Sequence, residues 1–106
     1  MKLSDTFKHR IVVDKNKADT DCVDACMLFL NTLELDPGSE KKISDLIEVL
    51  RKLENSLPSE IDRKRMTFFY SEVVPFMRII APKNCYFGRH PEDASLLGFW
   101  EKSLLL

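Results

Sequence analysis

The sequence predicts a mostly α domain, a compact three-helix bundle to which the two ends of the chain add a small sheet. Two observations carry that expectation. Three stretches repeat apolar residues every three or four positions, and turns rich in proline and glycine separate them. The C-terminal tail sets two aromatic pairs, Tyr86-Phe87 and Phe99-Trp100, on either side of a polar run.

Near the start, Ile11, Val12 and Val13 favour a short strand because β-branched side chains suit a pleated surface; an extended arm is the alternative. The acidic run that follows, from Asp14 to Asp19, invites comparison with a calcium loop. Ala18 at the fifth position, Asp19 where a glycine is needed and Ala25 at the final carboxylate break the pattern, so a solvated loop is expected.

Thr20 or Asp21 can cap the first helix, and Asp24 puts negative charge near the positive end of its dipole. Val23, Cys26, Met27, Leu30 and Leu33 form its apolar face, and Asp36-Pro37-Gly38 stops the chain, giving a helix over 21–33. Ser39 is the expected cap of the second helix, whose Ile43, Leu46, Ile47, Leu50, Leu53 and Leu57 make one stripe before Pro58 closes it. The Glu48–Lys52 pair on its polar face is worth only ~0.3–0.5 kcal/mol, so the leucine face must supply most of the stability.

Ser59 and Asp62 resemble a capping box ahead of Met66, Phe69, Val73, Phe76, Met77 and Ile80, the apolar face of the third helix. Pro75 lacks an N–H and crowds the Ser71 carbonyl, so this helix should kink there or divide; Pro82 ends it. Phe68, Phe69 and Tyr70 are consecutive and point about 100° apart on a helix. One of them must leave the core stripe, as the edge of a broad buried arc or as a partly exposed aromatic anchor. In the tail, an antiparallel hairpin around His90 to Ser95 is favoured. The rival is a helix opening at Pro91-Glu92-Asp93, in which Gly98 costs ~1 kcal/mol.

At 106 residues, 44% hydrophobic and 31% charged, the chain suits one packed domain over 1–106. Sixteen Lys+Arg against 17 Asp+Glu leave a net charge of −1, which writes no polyanion-binding surface into the overall balance. No apolar run approaches the ~18 residues that cross a bilayer. The N-terminal residues carry no secretory h-region, and three cysteines cannot pair completely; together these lead to the expectation of a cytoplasmic chain without disulfides.

Several groupings invite chemistry. Cys22 and Cys26, four apart on a helix, could join Cys85 and His90 around zinc, but paired zinc cysteines usually sit on a tight turn, so no metal is expected. Cys85, His90 and Asp93 supply the residue types of a thiol enzyme without a recognisable motif around the cysteine, and no cofactor motif is present. Arg63, Lys64 and Arg65, with Lys8, His9 and Arg10, could touch the phosphates of a nucleic acid, although Glu60, Asp62 and Glu72 dilute the field. The favoured expectation is a non-enzymatic protein–protein interaction module, of the kind found among small stoichiometric inhibitors and immunity-type proteins of bacteria and phages. Its expected contact residues are Tyr86, Phe87, Arg89, Phe99, Trp100 and Glu101. A homodimer would bury the same apolar tail.

Overall fold

Strand propensity at the N-terminus and in the tail counts for more than the helical pattern suggests. The computed structural model, which describes residues 2–16 and 21–105, is mixed α/β: helices packed on a three-stranded antiparallel sheet. The comparison with a calcium loop and the proposed Thr20 cap fall on residues 17–20, outside those described. In order, the elements are β1 (Ile11–Asp14), α1 (Cys22–Asn31), α2 (Pro37–Leu53), α3 (Pro58–Phe68), a π turn (Phe69–Val73), α4 (Val74–Ile80), β2 (Cys85–Arg89) and β3 (Leu96–Glu101). Short 3-10 turns precede β1 and follow β3.

Prolines begin helices here. Asp36, not Ser39, caps α2: its carboxylate accepts the Ser39 N–H at 3.2 Å and the Ser39 hydroxyl at 2.8 Å, and Pro37 opens the first turn where a missing N–H costs nothing. The sequence-based cap was therefore three residues late. Pro58 likewise opens α3 instead of closing α2, which ends at Leu53. Leu57 occupies the cap position without a side-chain bond, and the expected Ser59–Asp62 box does not form. Asp21 does cap α1, accepting the Asp24 N–H at 3.0 Å.

Pro75 neither ends nor splits the third helix. Residues 58–80 run on continuously because the hydrogen-bond register widens just before the proline, and the Val74 N–H reaches back five residues to the Phe69 carbonyl. A π turn gives the ring room that an α turn denies against the carbonyl four residues earlier. The widened turn stands where a kink was expected.

The sheet order is β1-β3-β2, so the tail hairpin receives the N-terminal strand on its open side. Tyr86 stands opposite Trp100 and Phe87 opposite Phe99. Alternation sends Phe87 and Phe99 toward the helices and Tyr86 and Trp100 to the other face. On the helix side, Phe29 of α1 meets Phe99 at 5.7 Å and Phe7 at 5.9 Å between ring centres, joining a core that runs on through Leu30, Leu46, Val73, Met77 and Ile80. Before β1, a turn closes with Arg10 N–H on the Phe7 carbonyl and places His9 at φ 64°, in the left-handed region. His9 N–H then binds the Phe99 carbonyl, and the Phe99 N–H binds the Arg10 carbonyl, so two residues oppose one in a bulge. Among the described residues no helix is long and apolar enough to cross a membrane.

Candidate functional site

The tail aromatics on which the sequence reading placed the contact surface are mostly interior. Phe87 and Phe99 have no exposure, because they fill the space between sheet and helices, and Trp100 keeps 3%. Trp100 lies outside that core cluster, on the opposite face of the sheet, where its indole N–H donates to the Gly88 carbonyl at 2.7 Å and the His90 ring stands perpendicular to it at 4.6 Å. Of the six expected contact residues, Tyr86, Arg89 and Glu101 reach solvent. They are not brought together: Glu101 pairs with Cys85 and Arg89 with Leu97, at opposite ends of the hairpin, about 13 Å apart along the strand. The Tyr86 hydroxyl is spent on the Arg89 carbonyl at 2.7 Å, and Glu101 faces Lys8 at 3.6 Å and His9 at 3.9 Å.

The basic clusters disperse for a geometric reason. Successive residues on a helix point about 100° apart, so Arg63, Lys64 and Arg65 address three different directions. Arg65 turns inward to three carboxylates. Lys64 bonds the Ser56 hydroxyl at 2.9 Å and Glu60 at 3.4 Å, and only Arg63 has no carboxylate partner among the described residues. At the N-terminus, Lys8 and His9 are drawn to Glu101, while the Arg10 guanidinium lies 5.7 Å from the centre of the Phe29 ring.

The thiols are separated too. Cys85 begins β2 and His90 follows its end, which at the rise of a strand sets them roughly 16 Å apart. Neither the enzyme grouping nor the zinc grouping assembles, and no cluster of three metal-ligating side chains occurs among the described residues. Burial pushes all three thiols up, Cys26 to about 12, which disfavours the nucleophilic thiolate.

What does gather at the surface is the outward face of the 58–80 helix. Arg63, Met66, Thr67, Tyr70 and Ser71 share it, with Met66 64% and Tyr70 55% exposed while Phe68 and Phe69 are buried. Tyr70 is thus the residue of the aromatic triplet that leaves the core. Met66, expected inside, joins it because its position lies one turn before Tyr70 on that same face. Two clefts flank the pair. One, about 310 Å³, runs between α1 and α3 with Asp21, Cys22, Arg65 and Phe69 in its walls; the other, about 420 Å³, runs between Arg63, Thr67 and Ser71. No family model, curated protein or solved structure matches the chain. The face is therefore read from its own chemistry: a large ring and a flexible thioether displayed together, with a guanidinium beside them and a π turn beneath.

Arg65 fixes this face to the rest of the molecule. Its side chain is 14% exposed and donates to Asp21 at 2.9 Å, Asp24 at 3.0 Å and Glu54 at 2.6 Å, tying α3 to the start of α1 and the end of α2. Partial burial alone would raise the Asp21 carboxyl, but the Asp24 N–H and the Arg65 guanidinium outweigh it and hold the group below its ordinary 3.8. A depressed carboxyl stabilises the fold above its unfolded-state value, and that contribution disappears as pH falls through the lower folded-state value. The urea midpoint is therefore expected to hold steady from about pH 7 to 5 and to fall below about pH 4, and Asp21→Asn, which keeps a good cap but removes the charge, should flatten that fall. An unchanged acid profile in Asp21→Asn would remove the linkage. Arg65→Met should cost about 1–3 kcal/mol, less than a fully buried pair because the three carboxylates meet solvent.

Proposed function

We propose that this chain is a non-catalytic protein-binding module whose contact surface is the outward face of α3 and the π turn, centred on Tyr70 and Met66. The observation that carries the reading is the exposure of these two large side chains, one helical turn apart between two clefts. Tyrosine, methionine and arginine are enriched at contact surfaces, since each brings much apolar area with a polar or adaptable element, and π turns recur at functional positions. Acting as a stoichiometric inhibitor or immunity-type protein fits this reading, because such a chain works by occupying its target's surface.

The test is capture from the native host's lysate with tagged chain and with Tyr70→Ala. A stoichiometric protein retained by the first should be lost from the second, because a tyrosine hot spot is worth at least ~2 kcal/mol, roughly 30-fold in affinity. The urea midpoint of Tyr70→Ala should fall only modestly, since the side chain is 55% exposed and its ring meets the core at the edge of Phe69. Undiminished capture by the Met66→Ala, Tyr70→Ala double variant would refute this surface. Nuclease-sensitive capture would instead favour the nucleic-acid alternative at Arg63, and a mass that grows with concentration in the chain alone would identify a second copy as the partner.

A further inference from the structure

A third depression adjoins the Tyr70 face across the ridge of Arg63, Thr67 and Ser71: a groove of about 480 Å³ between the consecutive helices α2 and α3. Val49, Leu53 and Phe68 give it an apolar lining, and Val49 is 45% exposed. Its charged lining is unbalanced. Lys52, Arg63 and Lys64 line it with the single acid Glu72, which is already 3.8 Å from Lys42, and Lys64 is itself held by Glu60 at 3.4 Å and by the Ser56 hydroxyl. Arg63 has no carboxylate partner among the described residues, and Lys52 has only the exposed Glu48, 3.5 Å away, in a surface pair of the kind a partner's carboxylate can replace at little cost. Ser56, Thr67 and Ser71, all small, keep the walls low enough for another backbone to come close.

We propose that this groove receives an amphipathic helix of the partner, its apolar stripe laid on Val49 and Leu53 over the buried floor of Phe68 and its acidic flank set against Arg63 and Lys52. This rests on the binding-module reading above and names the chemistry of what that module holds. Two neighbouring helices present the furrow into which the side-chain ridge of a third packs, and the excess of cations selects an acidic one. A nucleic acid fits the furrow less well, because its apolar lining offers no partner to phosphates and the three consecutive basic residues of α3 diverge.

The probes are two synthetic 18-residue helical peptides with the same leucine stripe, one flanked by glutamates and one by lysines, titrated into the intact chain by fluorescence anisotropy. The glutamate peptide is expected to bind at least tenfold more tightly than the lysine peptide, and Arg63→Glu should reverse that order. Thr67→Trp, which fills the groove from an exposed position, should abolish binding while circular dichroism and the urea midpoint stay at the parent values. Equal affinity for the two peptides, no binding of either, or binding unaffected by Thr67→Trp would each overturn the proposal. So would displacement of the glutamate peptide from the groove by a duplex or single-stranded oligonucleotide. The two readings fail separately. A captured partner that is lost with Tyr70→Ala but kept by Thr67→Trp and Arg63→Glu removes the groove and leaves the module; a glutamate peptide that seats in the groove while capture ignores Tyr70→Ala removes the Tyr70 surface and leaves the groove.

Discussion

Gly98→Ala is expected to cost about 3 kcal/mol or more, a large share of the roughly 5–15 kcal/mol that holds a small domain together. Gly98 lies in β3, the central strand, with Ile11 paired on one side and Gly88 on the other. A Cβ built there would stand under 3.0 Å from the Arg10 carbonyl oxygen, closer than real Cβ atoms come, and 3.0 Å from the Trp100 ring. The carbonyl cannot retreat, because it accepts the Phe99 N–H in the bulge that joins β1 to β3. Gly88→Ala is the control. The added carbon there meets the Tyr86 ring at 2.8 Å, a side chain free to rotate away, so the cost should be about 1 kcal/mol. Urea denaturation of the two variants decides the matter; a Gly98→Ala protein as stable as Gly88→Ala would mean that β1 does not cross β3 at this point.

Trp100→Ala should cost about 3–5 kcal/mol, the range for removing a large aromatic from the interior. The ring covers Gly98, abuts His90 and satisfies the Gly88 carbonyl, so truncation opens a hole and leaves an acceptor without its donor. If Trp100 were the contact residue that the sequence suggested, the same substitution would remove partner binding and preserve the fold. The two expectations separate cleanly. A lowered urea midpoint, followed by far-ultraviolet circular dichroism, marks Trp100 as a structural residue. An unchanged midpoint with lost binding would return it to the surface.

The elements written in local pattern were legible: the leucine stripe of α2, the β-branched run of β1 and the hairpin with Tyr86 and Phe87 on one arm and Phe99 and Trp100 on the other. Helix starts were less so, because a proline was taken as the end of the helix before it, whereas at Pro37 and Pro58 the fixed φ of the ring prepares the helix after it. The small sheet expected from the two ends of the chain does form, but the pairing of β1 with β3 joins residues more than 80 positions apart, and no local signal gives its register or its weight in a mixed α/β fold. For the site, the helical angle did predict that one residue of Phe68-Phe69-Tyr70 must leave the core. It did not tell which face of the tail hairpin is closed. The helices close one; the other is covered only in part, by an indole over Gly98, and leaves Tyr86 in reach of solvent. Arg65 read as part of a basic cluster for the same reason: its carboxylates at Asp21 and Asp24 are distant in sequence and near only in the fold.

The sheet order sets a timetable for synthesis. β1 is made early, but its strand partner, β3, is made more than 80 residues later, so at typical elongation rates the nascent strand waits about 4–16 s for its neighbour. The helices and then the β2–β3 hairpin can form from contacts close in sequence, while the first strand is recruited last, onto an edge that did not exist when it left the ribosome. A chain stalled before residue 96 therefore carries an unpaired strand, because every bond that places β1 in the sheet, the His9 and Arg10 contacts with Phe99 included, is made to a strand not yet synthesised.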